Sequence, residues 1–335
     1  MKIGVLGAGG IVPPHLDAAR QLGVEVVHIA DVRIECAETL AEQFCIRKIS
    51  NDLWDVVKDP EVDMVIVALP TYLHHDWLMR CALAGKHILT EKPLCRTVAE
   101  ARRVIKTCKQ NNVKVGIGYQ RRFSPARIKV RELIRSGTIG RPITWAISGF
   151  GARNDFYRGP NNWMWDMQKG AGLVMDGSIH DFDFASWILG RPVKMYAQSR
   201  LICDCVTAPT QASAIIHFEH GDTLTYSVAW QECEYGPGDG VDRIIGPKGT
   251  IIPDSEFSFI LHACAGGTDR MSWDPIHLFK DQLGAFIEYA SNGKEDYRLT
   301  TGEDALSSLW IAESIVRAGE SGRIFNFTGQ REMNG

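Results

Sequence analysis

The first 119 residues alternate short apolar runs with stretches of helical period, and this alternation leaves the chain very few folds. The runs fall at 2–6, 25–30, 45–49, 63–69, 87–89 and 114–118, with helical segments near 11–22, 34–44, 74–84 and 97–111 between them. In the fourth run, Met64-Val-Ile-Val-Ala-Leu69 offers no polar face to water. A strand that is apolar on both sides belongs in a parallel sheet covered by helices above and below. Alternation of this kind therefore predicts an α/β domain with a doubly wound parallel sheet.

Beyond Tyr119 the texture changes. A basic helical segment, 125–136, precedes a stretch rich in Gly, Asn and Trp at 154–172, and a helix then runs to about residue 189. From 193 to about 261 the sequence reads as consecutive strands. The clearest pair is 212–219 and 223–230, joined at His220-Gly221-Asp222. In the second of these, Leu224, Tyr226, Val228 and Trp230 alternate with Thr225, Ser227 and Ala229, which gives one apolar face. Two helices, about 275–291 and 302–319, follow, and there is no internal repeat. The expected division is a dinucleotide-binding domain at 1–119 and a substrate-binding and oligomerisation domain at 120–335. The second is α+β, with a large, mostly antiparallel open sheet. Its outer face carries Tyr and Trp side chains that need cover, so a homodimer or homotetramer is expected.

Composition narrows the partners. With 45% hydrophobic residues, 335 positions bury a large core without staples. A net charge of -3 gives no general attraction to nucleic acid or to an anionic membrane. The longest apolar run falls far short of the ~20 residues a membrane span needs. Nine scattered cysteines, the nearest two in Cys203-Asp204-Cys205, make neither a disulfide framework nor a zinc motif. A strand entered directly after Met1-Lys2 leaves no room for a signal peptide, and the expected location is cytoplasmic.

Lys2-Ile-Gly-Val-Leu-Gly7-Ala-Gly9-Gly10-Ile11 leads from the first strand into the first helix. Gly7 can make the tight turn, and Gly9 lets a pyrophosphate approach the backbone at the helix N-terminus. A complete fingerprint would place Gly or Ala where this chain has Val12. Pro13 and Pro14 follow, tolerable only in a first helical turn. Asp31 lies at the end of the second strand. A carboxylate there accepts hydrogen bonds from ribose hydroxyls and repels a 2′-phosphate, which favours NAD over NADP. Arg33 is the side chain that could hold such a phosphate, and a helix N-cap is the other role open to Asp31.

Thr90-Glu91-Lys92-Pro93 ends the fifth strand, and with it the series of motifs becomes specific. Pro70-Thr71…His74, Glu91-Lys92-Pro93, Gly118-Tyr119…Arg122-Phe123…Pro125, Gly170-Ala-Gly172…Asp176…His180-Asp181…Asp183 and Gly246-Pro-Lys-Gly249 follow the glycine loop and Asp31 in one order. From Lys2 to about Phe327 the chain resembles the Gfo/Idh/MocA family, which includes glucose–fructose oxidoreductase and inositol 2-dehydrogenase. Val12 in the glycine loop, Thr71 in place of the usual Asn, and Ser178 in place of the commoner Gly depart from the family pattern. The resemblance implies a dinucleotide site at Gly7, Gly9, Gly10, Ile11, Asp31, Arg33, Leu69, Pro70, Thr71, His74, Glu91 and Lys92. It also implies a catalytic group of Lys92, Asp176 and His180.

The chemistry of those three residues agrees. Hydride leaves a carbinol carbon readily only as the hydroxyl proton is removed, and His180 suits that base. The Lys92 ammonium can stabilise the developing alkoxide, and Asp176 can orient His180 or relay its proton. If one helix starts near Leu173, then Asp176, His180 and Asp183 share a polar stripe; if Ser178 caps a later helix, Asp176 lies just before it. Without the resemblance, Lys92 reads as a surface lysine, and Asp176 with His180 as a structural pair or zinc ligands; the only other cluster, His74-His75-Asp76, belongs to a helix of the first domain and makes a weak third ligand. Tyr119 and Arg122 follow the last strand of the first domain and are expected to face the substrate. The stretch from Tyr157 to Trp165, with Asn162 and Trp163, offers aromatic faces and amides that suit a sugar, or that pack a loop or subunit contact. The Lys92–Pro93 peptide is expected to be cis.

The function these readings converge on is an NAD(P)-dependent oxidoreductase. It would transfer a hydride between nicotinamide and a secondary hydroxyl of a sugar, sugar derivative or inositol. A redox-neutral sugar-modifying enzyme with retained NAD is one alternative. A non-catalytic dinucleotide- or sugar-sensing regulator is the other, although a sensor has no need of a base.

Overall fold

The computed structural model describes residues 1–152, 162–202, 206–231 and 240–327. The chain forms two compact units. One comprises Met1–Phe123 with Ile276–Leu306, and the other Ser124–Pro275 with the segment from Ser307 on.

The first unit runs β1 (Ile3–Leu6), α1 (Val12–Leu22), β2 (Val26–Ala30), α2 (Ile34–Phe44), β3 (Lys48–Ser50), α3 (Leu53–Lys58), β4 (Met64–Val67), α4 (Thr71–Leu83), β5 (His87–Thr90), α5 (Val98–Gln110) and β6 (Val115–Ile117). Its strands pair in the order β6-β5-β4-β1-β2-β3, all parallel, the doubly wound topology expected. Every residue of β1 and β4 is buried, because helices cover both faces. Helix starts follow local chemistry: Asp52 and Thr97 accept the backbone N–H groups of Trp54 and Glu100. The strand expected at 45–49 begins later, since Cys45 takes a left-handed conformation (φ 57°) to end α2.

The second unit contains α6 (Pro125–Arg135), β7 (Thr144–Ala152), α7 (Leu173–Asp176), α8 (Ile179–Leu189), β8 (Pro192–Arg200), β9 (Gln211–Phe218), β10 (Thr223–Gln231), β11 (Gly240–Gly246), β12 (Gly249–Ser255), β13 (Ser258–Ala263) and β14 (Gly267–Ser272). Then α9 (Leu278–Asn292) and β15 (Thr300–Thr301) return to the first unit, where β15 pairs antiparallel with β6. A boundary at 119 places that helix and strand in the second domain, whereas both pack with the first unit. The chain closes with α10 (Ala305–Ala318) and β16 (Arg323–Asn326).

The second sheet is ordered β14-β13-β12-β11-β7-β10-β9-β8-β16, antiparallel except where β7 lies parallel to β10. The expected hairpin is present as β9 and β10, and Leu224, Tyr226 and Val228 are buried on its inner face. Helix α8 covers that face through Phe184 against Trp145 and Phe182 against Tyr226. Among the described residues no helix is long and apolar enough to cross a membrane.

Candidate active site

The parallel sheet brings the C-terminal ends of β1, β2, β4 and β5 to one edge, and with them the glycine loop, Asp31, Leu69 and Lys92. Gly7 has φ +99°, and a Cβ there would lie 2.4 Å from the Ala68 carbonyl oxygen, so the turn into α1 requires glycine. Side chains at Gly9 or Gly10 would meet only open space, and the N–H groups of Gly9, Gly10 and Ile11 donate to no backbone carbonyl among the described residues. That combination suits a dinucleotide pyrophosphate. Val12, the departure from the fingerprint, is fully buried as the first residue of α1 and packs in the core. Pro13 and Pro14 sit in the first turn, where no N–H is needed.

Asp31 is 8% exposed. Its Oδ2 accepts the Ala8 N–H at 2.7 Å and its Oδ1 the Arg33 N–H at 2.9 Å. Helix α2 has Arg33, not Asp31, at its N-cap, so the capping role does not apply. The carboxylate braces the glycine loop and keeps acceptor capacity for a ribose. The Arg33 guanidinium is largely exposed, its Nε 3.7 Å from Asp31 Oδ1.

Pro70 precedes α4 as its N-cap, and Thr71 is buried in the first turn. His74, completely buried, places Nδ1 2.8 Å from the Pro93 carbonyl oxygen and Nε2 2.8 Å from that of Leu69. Its ring is thus committed to protein carbonyls, and any contribution to a dinucleotide passes through the Leu69–Thr71 backbone. Burial holds its pKa below the ordinary histidine value, against the pull of the two carbonyls and of the Glu91 carboxylate. The Lys92–Pro93 peptide is cis, as expected; Arg141–Pro142, also cis, was not anticipated. Glu91 is 6% exposed and accepts from His15 and from the Lys92 N–H. Tyr119 and Arg122 are both buried, at 1% and 5% exposure.

In the second unit the segment from 173 breaks in two. Asp176 ends α7, Gly177 intervenes, and α8 starts at Ile179 with Ser178 as its N-cap. The second helix does start later, but Ser178 makes no capping bond: its backbone is already helical (φ -68°, ψ -19°), and its hydroxyl accepts from the Tyr226 phenol. His180 and Asp183 are buried in α8, at 7% and 2% exposure. Asn162 caps the single turn Trp163–Trp165 by accepting the Met164 N–H at 3.0 Å. Trp165 packs against Trp230 at 5.5 Å, which gives this part of the aromatic stretch a packing role. The positions Tyr157 to Asn161 lie outside the described residues.

Two features escaped the sequence reading. His15, a lone histidine on an apolar helix face, has its partner 76 positions away. Asp242 on β11 accepts the Trp145 indole N–H at 2.7 Å; burial, with Asp181 nearby, pushes its carboxyl up to about 6. No local pattern signals either.

Comparison with known proteins agrees with this arrangement. Residues 1–119 match the Gfo/Idh/MocA oxidoreductase family with its NAD-binding Rossmann fold, and residues 128–252 match the Gfo/Idh/MocA C-terminal domain. The scyllo-inositol 2-dehydrogenase (NAD(+)) of Bacillus subtilis is 33% identical, the alignment covering 93% of this chain and 92% of that protein. The myo-inositol 2-dehydrogenase of Thermotoga maritima is 27% identical over 96% and 97%. An oxidoreductase from Thermotoga maritima has the same fold, with a TM-score of 0.86 at 22% identity over 97% of this chain and 98% of its own. The fold, the glycine loop and the two matches, together more than half of the sequence, establish that this chain belongs to the Gfo/Idh/MocA family of oxidoreductases.

Proposed function

We propose that this protein is an NAD-dependent dehydrogenase that oxidises a secondary hydroxyl of a cyclic polyol or sugar. The observation that carries the reading is the shared sheet edge, where the glycine loop and Asp31 adjoin the turn that carries Lys92. The full-length likeness to inositol dehydrogenases supports the substrate class.

NAD supplies the hydride acceptor when bound, held by the N–H groups of Gly9, Gly10 and Ile11, with the ribose on Asp31. The Lys92 ammonium offers positive charge to the oxygen that becomes an alkoxide. His180 removes that hydroxyl's proton, and Asp176 orients it. Tyr119, Arg122, Asn162 and Trp163 are the further substrate contacts we assign, on motif position alone.

We further propose that the protein works in the cytoplasm as a homo-oligomer. The cysteines at 36, 45, 81, 95, 108 and 264 are free thiols. Burial pushes Cys81 and Cys108 up to about 12, which keeps them protonated and inert. On the outer face of the second sheet, Ile324, Tyr196 and Ile215 are cross-strand neighbours, all exposed, with Val241 and Ile245 further along. An apolar stripe of this kind suits a second copy of the chain.

The test is NAD reduction, followed at the nicotinamide absorbance, with a panel of inositols and sugars. Oxidation of a cyclic polyol, at a rate that rises with pH through one ionisation, is the expected result. Tight NAD binding with no net reduction by any substrate would replace this reading with redox-neutral chemistry or sensing.

A further inference from the structure

The turn that carries Lys92 is gripped by two buried histidines from two different helices. His15, on α1, donates from Nε2 to Glu91 Oε1 at 2.8 Å, with both side chains under 10% exposed. The other oxygen of Glu91 accepts the Lys92 N–H at 3.3 Å. His74, on α4, lies 2.8 Å from the carbonyl oxygens of Pro93 and Leu69; the neutral ring that burial favours has one N–H, donates it to one of them and packs against the other. Of the residues flanking Lys92, Glu91 is therefore bonded to α1 and Pro93 is in contact with the His74 ring of α4. These are the two helices that follow the glycine loop and Leu69–Pro70.

Stability alone gives no reason for this arrangement. The Nδ1 of His15 is buried with no hydrogen-bond partner, and apolar side chains in place of both His15 and Glu91 would spare the fold that cost and the burial of a carboxylate. What the ring does provide is one directed bond to Glu91, fixed by an edge-on contact with Phe279 at 4.8 Å. A charged group that must meet a reacting oxygen needs such a fixed support, since a displacement of about 1 Å costs roughly 10²-fold in rate.

We propose that His15 and His74 are positioning residues for Lys92: they fix the Glu91–Pro93 turn and couple it to the two segments that hold the dinucleotide. The role rests on the assignment of Lys92 under the proposed function, so its test has one arm that needs no turnover. In protein carrying ¹³C-methylated lysines, without dinucleotide or substrate, the Lys92 resonance is identified by its loss in Lys92→Met. It should shift or broaden in His15→Leu, His74→Leu and Glu91→Ala, and return toward its original position in Glu91→Gln, which keeps an acceptor for His15. In the kinetic arm, His15→Leu should lower kcat by about 10- to 100-fold while the substrate KM stays within about threefold. In a Lys92→Met background the same substitution should cause no further loss.

A Lys92 resonance unmoved by all of these substitutions overturns the proposal, as does an equal loss of kcat with and without Lys92. If His74→Leu does not fold, His15→Leu and the Glu91 pair decide alone. If the wild-type protein oxidises no polyol, the proposed function fails while the resonance arm still judges the clamp.

Discussion

The two units hold their candidate site side chains in opposite ways. In the first, Asp31 braces the glycine loop, His15 holds Glu91, and His74 links Leu69 to Pro93, all beside a sheet covered on both faces. In the second, Asp176 ends a four-residue helix, His180 lies in the first turn of the next, and Asn162 caps a single turn. The sheet behind them leaves Tyr196, Ile215, Val241 and Ile245 of its outer face exposed among the described residues. A dinucleotide is the same molecule whatever the substrate, so its cradle can be built into backbone and locked. A substrate site that differs among relatives is more easily reshaped where short elements meet at breaks.

The contrast is tested most severely by substitutions that separate turnover from dinucleotide binding. His180→Asn should keep the NAD affinity, measured by titration, and lose roughly 10²–10⁴ in turnover. Lys92→Met should lose at least as much. Near-normal turnover in the His180→Asn protein would remove the general-base role.

Next in size is packing. Ile66 on β4 is fully buried, and Ile66→Ala should cost about 2–5 kcal/mol in denaturant unfolding. Ile215, 44% exposed on the open face, should behave otherwise. Ile215→Lys should leave unfolding within about 0.5 kcal/mol and convert the oligomer to monomers in sedimentation velocity. A wild-type protein that already sediments as a monomer breaks this half of the comparison.

Two carboxyls, the buried Asp59 and the half-buried Asp242, sharpen it through pH. Burial raises Asp59, but hydrogen bonds from Lys48, the Glu61 N–H and His28 outweigh it and bring the carboxyl down to about 2. Between pH 3.8 and about 2 the unfolded chain binds more protons at Asp59, so stability is present above 3.8 and lost as pH falls. Asp242 has the opposite sign. Its folded form holds the proton up to about 6, so stability falls as pH rises from 3.8 to 6. Asp59→Asn should remove the acid loss, and Asp242→Asn the fall above it, in unfolding curves taken from pH 2 to 7. Smallest is cofactor choice: Asp31 should favour NAD over NADP by about tenfold, on the order of 1.4 kcal/mol. Equal affinity would shift that role to Arg33.

The legible parts of the fold were those whose signal is local. Apolar runs placed β1, β4 and the β9–β10 hairpin, and glycine and aspartate placed the dinucleotide edge. Strand β7, central in the second sheet, went unread, because Thr144–Ala152 mixes Trp, Ile and Phe with two glycines and shows no clean alternation. The six-residue α3 and two-residue β15 are too short to have a period. In the candidate site, motif order supplied Lys92, Asp176 and His180. The bonds that support Lys92 join positions 15 with 91 and 74 with 93, and only folding brings such pairs together.

One feature of the first unit bears on how the protein is made. Leu283 and Phe286 of α9 are fully buried in its core, and Gly116 on β6 has no side chain because the Phe286 ring would lie 2.7 Å from its Cβ. About 150 residues separate Phe123 from Ile276. A ribosome adding about 5–20 residues per second takes roughly 8–30 s to bridge that interval. Throughout it the nascent dinucleotide unit exposes the apolar ground on which α9 will dock. The glycine loop thus emerges first, but the unit that holds it is completed only after the second unit's sheet has been made.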